Sequence, residues 1–402
     1  MFKEEIKDYG LDAFIPNLTA DLSGFVAIFL VSFITFCMAS RWPDISKIIF
    51  TALIVRILVM LIGYYFVHLP DATADAIGFE WGGWNMAQGG FFNLVNNYPG
   101  ANNFFYSWVI AIPYSLFGRS LLIIQSISLL FGMGSVLLGW LLAKKIWDDR
   151  TAIKVGWAIA LFPSLILYSI LPLREVYCSF FLLLATINII NWVETKKLNF
   201  AILAIGGFVG AGFFHGPLFL GGIIFSIIFF ISVFKESIKS LLILRINLKS
   251  LIFITLIFLF ILSYLSNEIY LPYIGRFETS IDLSVWMKNI SDRLRGDASY
   301  PEWLAVKNNI EFFYKGFFRV FYFLFSPFPW DIKTLSHLIG MFDSFLYLTL
   351  FYFIFRNRKA IWENPALRII LLIFAAYSFA YAIGVSNFGA GIRHRSKFAI
   401  EL

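Results

Sequence analysis

Charge is what this chain has least of. Asp, Glu, Lys and Arg make up 14% of its 402 residues, against about a quarter in an ordinary soluble domain. So little polar surface cannot cover so much apolar volume, which excludes a soluble globular enzyme. Histidine occurs four times and cysteine twice. Cys37 and Cys178 both sit inside apolar runs. They read as small buried hydrophobes, not as a disulfide or a metal pair. No His-x-x-His or His-plus-acid spacing occurs, so no structural metal is expected. There is no block of Lys/Arg interleaved with aromatics, and the net charge of +7 therefore does not point to nucleic acid. The first 20 residues are polar and charged, so no cleavable signal peptide is expected. An internal repeat is also lacking, which disfavours a transporter built from two symmetric halves. What is abundant is apolar: 59% of residues are hydrophobic, 48 are Phe, and the mean hydropathy is +0.78. The class that remains is an all-α polytopic membrane protein.

Runs long enough to cross about 30 Å of hydrocarbon fall at 22–40, 47–67, 120–143, 152–171, 175–193, 199–214, 217–234, 250–266, 336–355 and 367–385. Two further runs are ambiguous: 104–117, which is short and carries Pro113, and 312–328, which carries Lys315 and Arg319. Basic residues in short loops face the cytoplasm. The clusters are Arg41/Lys47, Lys144/Lys145/Arg150/Lys154, Lys196/Lys197, Lys235/Lys239/Arg245/Lys249 and Arg356/Arg358/Lys359/Arg368, half of the 32 basic residues. All five fall inside if the two ambiguous runs are interfacial or re-entrant. That predicts about ten spans (ten to twelve) in a single membrane domain spanning 1–402, with both termini outside. Two long segments then face outward, 68–119 and 267–335, and chemistry is expected at that face.

The first outer segment holds Asp71, Asp75 and Glu80 with no cation nearby in sequence; no Lys or Arg occurs from Ile57 to Gly118. A carboxylate at the membrane boundary suits a general base that takes a proton from a hydroxyl; the plainer reading is solvated loop acids. Asp71 and Asp75, four apart, would share a helix face, whereas Asp75 and Glu80 would not quite do so. Arg174 and Glu175 lie at an outer turn. There Arg174 either holds a phosphate in a forked grip or snorkels to the interface. His215-Gly216-Pro217 breaks an apolar stretch and predicts a hairpin, with His215 a substrate contact or simply a polar turn residue. Arg56 and Asp343 fall within spans, as functional charges or as a bridge to one another. Arg393, His394 and Arg395 follow the last span and lie outside, against the positive-inside trend; an anionic phosphate would justify them, as would lipid headgroups. Arg293 and Arg295 in the second outer segment are further candidates for a basic pocket.

Together these segments resemble the C-type glycosyltransferase superfamily, and most nearly the bacterial relatives of protein mannosyltransferases. The resemblance lies in the acidic first outer loop (Asp71, Asp75), in the run FFYSWVIAIPYSLFGRSLLIIQSISLLFGMGSVLLGWLLAKKIW (104–147) and in ALFPSLILYSILPLRE (160–175), and covers about residues 68–235. It implies transfer of a sugar from a polyprenyl-phosphate donor to a lipid-linked glycan acceptor in cell-envelope assembly, at the outer face of a bacterial plasma membrane. A first-loop Asp would act as base and basic residues would stabilise the leaving phosphate. Family members place an aromatic and then a small residue soon after the acid. Asp75 with Phe79 fits that best, but the Trp81-Gly82-Gly83-Trp84 insertion departs from it and keeps Asp71 open as well. The large outer soluble domain of some members is missing. No cofactor is implied with certainty; a divalent metal at the first-loop acids stays open. Two other functions compete: a repeat-unit polymerase of O-antigen or capsule type, relying on outer Arg and His, and a transporter or flippase for a lipid-linked sugar, which would need charges along a central path.

Overall fold

The structure, a computed structural model, describes residues 15–18, 21–242, 270–271, 275–276, 298–306, 308–333 and 335–398. Helices dominate it. In chain order they are α1 (Leu22–Arg41), α2 (Ser46–Tyr65), α3 (Asp75–Ala87), α4 (Gly90–Asn96), α5 (Phe105–Phe117), α6 (Leu121–Ile146), α7 (Asp149–Leu161), α8 (Pro163–Tyr168), α9 (Glu175–Thr195), α10 (Leu198–Phe214) and α11 (Phe219–Leu242). After these come α12 (Asn309–Phe325), α13 (Leu335–Arg356), α14 (Arg358–Glu363), α15 (Pro365–Gly384) and α16 (Phe388–Ser396). Residues 270–271 and 275–276 form a two-residue antiparallel pair.

Six of the described helical stretches are long and apolar enough to cross a membrane: Leu22–Arg41, Pro43–Tyr65, Leu121–Ile146, Glu175–Thr195, Gly216–Lys235 and Pro365–Gly384. The protein is therefore a polytopic helical membrane protein, but ten uninterrupted spans are not what the described residues show. The run at 199–214 forms a 17-residue helix, about 25 Å long at 1.5 Å per residue. The run at 336–355 forms a 22-residue helix. The run at 250–266 lies outside the described residues. The ambiguous run at 104–117 is a 13-residue helix, α5.

The expected span at 152–171 is broken in two, and the sequence explains where. Phe162 is extended between α7 and α8. Pro163 has no N–H for the carbonyl of Ile159, four residues earlier. That carbonyl and the next one need other donors in an apolar surrounding. Arg56 supplies them from α2, donating to Ala160 O at 2.7 Å and Ile159 O at 3.1 Å, while its Nε donates to Ser169 Oγ at 2.9 Å. The same device recurs. Pro327 deprives the Phe323 carbonyl of its donor, and Arg395 Nη1 reaches Phe323, Leu324 and Ser326 O at 2.7–3.0 Å. Arg319 caps the end of α15 through Ala382, Ile383 and Val385 O at 2.6–3.2 Å. All three guanidiniums are essentially unexposed. Cations suit these ends, where the helix dipole is negative. Arg56 and Asp343 thus do not bridge to each other; Asp343 meets Arg395 at 3.0 Å and Ser164 Oγ at 2.9 Å.

The core is aromatic. Tyr177 stacks on Phe214 with 4.8 Å between centroids, and Tyr106 and Phe131 pack beside Tyr177. α9 and α10 approach closely at Gly207, where a Cβ would lie 2.8 Å from backbone atoms of Phe181 and Ala185. One end of the bundle is tied by Lys144–Asp44 (3.7 Å), Lys144–Asp149 (2.8 Å) and Lys145–Glu194 (2.7 Å). The start of α9 and the ends of α10 and α15 meet at the other.

Candidate functional site

Five chain segments converge at that other end: the turn before α3, the α8–α9 turn, the α10–α11 turn, the end of α15, and α16. Asp71 lies in the turn and Asp75 begins α3, so the two do not share a helix as their spacing suggested. The turn is strained. Asp71 (φ 59°) and Ala74 (φ 51°) are two of the three non-glycine residues with positive φ among those described. Such conformations cost about 1–3 kcal/mol each and persist where surroundings enforce them. Here Tyr168 O–H donates to Asp71 Oδ2 at 2.7 Å, and Arg393 holds Asp75 Oδ2 at 2.5 Å. Both carboxylates remain exposed.

Behind them lies a buried ionic layer. Glu175, the first residue of α9, is 1% exposed. Its Oε1 faces Arg393 Nε at 3.2 Å and Lys397 Nζ at 3.5 Å, and neither of its oxygens has a well-directed hydrogen bond. Lys397 is fully buried and lies 2.6 Å from His394 Nδ1. Burial pushes its ammonium down to about 8; Glu175 opposes that shift, and Arg174 and Arg393 add to it. His215 pairs with Tyr381 O–H at 2.8 Å and its ring lies 5.1 Å from that of His394. Burial, then the cations Lys397 and Arg174, hold His215 well below the usual histidine range, so it is neutral at pH 7. Arg174 lies over the Phe79 ring at 5.1 Å and donates to Phe214 O at 3.3 Å. A small, mostly apolar cavity of about 20 Å³ beneath, bounded in part by Arg56, Tyr168, Ser169, Glu175 and Ser396, is about the size of a single water.

The structure thus brings together Asp71, Asp75, Arg174, Glu175, His215, Arg393 and His394. Two other sequence candidates have different partners. Glu80 is unexposed and accepts from Arg119 at 2.9 and 2.7 Å and from Tyr114 at 2.9 Å. Arg395 caps α12. Arg293 and Arg295 lie outside the described residues. Sequence reasoning missed Lys397, Tyr168 and Tyr381. Lys397 had a signal: it follows Arg393 by four and His394 by three, the spacing of one helix face.

Among the described residues no three His, Cys, Asp or Glu side chains converge as metal ligands. The sequence candidates for a divalent ion are Asp71 and Asp75, and Arg393 already pairs with Asp75, so among the described residues these two acids alone do not make a fitting ligand set.

No protein-family model, curated protein or solved structure matches the chain.

Proposed function

We propose that this protein is a membrane glycosyltransferase that moves a sugar from a polyprenyl-phosphate donor to a lipid-linked glycan acceptor at the outer face of the membrane, in cell-envelope polysaccharide or glycolipid synthesis. One observation carries this reading: an exposed carboxylate on a strained turn and a second at the start of α3 sit against a largely buried layer that holds Arg174, Arg393 and Lys397. Such a layout pairs a proton acceptor with an anion holder, which displacement at an anomeric carbon needs. The resemblance of 68–235 to C-type glycosyltransferases supports it. The basic loop clusters near Lys144 and Lys196 lie at the opposite end, which under the positive-inside rule supports reading the candidate site as outward-facing.

In the proposed step the acceptor oxygen bonds to the anomeric carbon as the bond from that carbon to the phosphate oxygen breaks. The hydroxyl proton passes to a carboxylate and the electron pair leaves with the phosphate. We assign the base to Asp71, whose partner is the neutral Tyr168 phenol. Asp75 is the counter-charge of Arg393. Arg393 and Arg174 then offset the negative charge that grows on the departing phosphate. In reconstituted membranes, Asp71→Asn should abolish transfer, and Arg393→Gln should lower it while leaving the fold intact. Wild-type transfer by Asp71→Asn would sink the assignment.

The polymerase reading draws on the same Arg393, His394 and His215. It differs in its donor, a whole repeat unit on diphosphate instead of a single sugar on monophosphate. The transport reading is weaker, because Arg56 and Asp343, the charges its path would need, are engaged in helix capping and in the Arg395 pair.

A further inference from the structure

Glu175 is shared by two cations, and only one of them faces outward. Arg393 spans the gap between buried Glu175 and half-exposed Asp75. Lys397 has no outward face. Its surroundings are Glu175, Cys178 and Arg174 from the α9 segment, His394 and Arg393 from α16, Tyr381 from α15, and His215 from the α10–α11 turn. A charged Lys has donors only, so its 2.6 Å contact makes His394 Nδ1 the acceptor.

The charges then balance in a telling way. Glu175 and Asp75 contribute two negatives, Arg393 and Lys397 two positives. Asp75, half-exposed, can turn to water and give up its place on Arg393 to another anion. Glu175 cannot follow, because it is enclosed. While Lys397 is charged it balances Glu175, and the Arg393 charge is available outward. Without the Lys397 proton, Arg393 is the one cation left within salt-bridge distance of Glu175 among the described residues, and more of its charge is drawn inward.

We infer that Lys397 is a positioning residue for a phosphate site at Arg393: its ammonium holds Glu175 and thereby sets how strongly Arg393 binds a phosphate monoester, with Asp75 as the internal anion that the ligand displaces. This rests on the proposed function only in taking the anion to be a phosphate; binding is separable from transfer.

The test is binding of farnesyl phosphate and of inorganic phosphate to the full chain in detergent micelles, by titration calorimetry from pH 6.5 to 9.5, with farnesol as control. Wild-type affinity should fall about tenfold between pH 7 and pH 9, as a buried group titrating near 8 loses its proton. Lys397→Met should bind at least tenfold more weakly at pH 7 and lack the fall, displaying only the ligand's own titration. Lys397→Arg should restore the pH 7 affinity and carry it to pH 9. Binding of both phosphates would show that the headgroup suffices, and binding of the farnesyl ester alone that the chain is needed; either supports the inference. It is overturned if wild type binds neither phosphate, if farnesol binds as well as its phosphate, if wild-type affinity does not fall, or if Lys397→Met follows wild type at every pH. Phosphate binding with the Lys397 pattern but no sugar transfer would instead overturn the proposed function alone.

Discussion

Glu80→Gln separates structure from function at the first outer segment. Glu80 lies on α3, and its carboxylate is forked onto Arg119, which sits between α5 and α6. Arg119 is 12% exposed at its side chain and Glu80 not at all. The amide keeps the size and the Tyr114 contact but removes the charge. Breaking a buried pair by neutralising one partner costs about 3–5 kcal/mol, because the other charge stays in a poorly solvated place. The Trp84 ring, 5.5 Å from the Arg119 guanidinium, is already in place in the wild type and so offsets little of this loss. A net loss of roughly 3 kcal/mol is large beside a total stability of about 5–15 kcal/mol. The assay is unfolding in micelles followed by tryptophan fluorescence, with Arg119→Met and the double variant completing the cycle. The double variant should be more stable than the sum of the single losses predicts, with coupling of about 2 kcal/mol or more. If Glu80→Gln unfolds like wild type but loses activity, Glu80 belongs to the substrate site and the structural account of it is wrong.

Four other outcomes follow from the same contacts. Arg56→Met orphans the Ile159 and Ala160 carbonyls and should cost about 2–4 kcal/mol, seen as a lowered melting point. Arg395→Gln leaves Asp343 buried without its cation and should cost about 3–5 kcal/mol, whereas Arg393→Gln leaves buried Glu175 with Lys397 as its remaining cation and should cost less than Arg395→Gln. Between the two aspartates, Asp71→Asn should remove transfer while Asp75→Asn should chiefly change phosphate affinity. Lys397 also predicts a pH effect on stability. Its folded value is about 8 and its ordinary value 10.5, so between those limits the unfolded chain binds more protons. Stability should therefore rise with pH across that window, by at most about 1.4 kcal/mol per unit. Lys397→Met should flatten the rise when melting points are compared from pH 7.5 to 10.

Much of this was legible in the sequence because charge is scarce. The apolar runs marked the membrane class, His215-Gly216-Pro217 marked a hairpin that forms, and Asp75, Arg174 and Arg393 were picked out from segments far apart in the chain. What was not legible was direction. Arg393 and Arg395 are two residues apart on a helix, about 200° around its axis; one faces the site and the other the core, and sequence cannot say which. Asp75 and Glu80 diverge for the same reason. Arg56 looked like a functional charge because its partners are backbone carbonyls freed by Pro163, over a hundred residues away. The break at Phe162 was hidden by hydropathy, which does not register a missing N–H.

Lipid-linked glycans, measured by mass spectrometry in a deletion strain carrying wild type or Asp71→Asn, test the central claim most directly. The account predicts that deletion makes an unextended lipid-linked acceptor accumulate, that wild type clears it, and that Asp71→Asn does not although it is present in the membrane at the wild-type level. A lipid-linked pool unchanged by deletion, or cleared equally by Asp71→Asn, would contradict it.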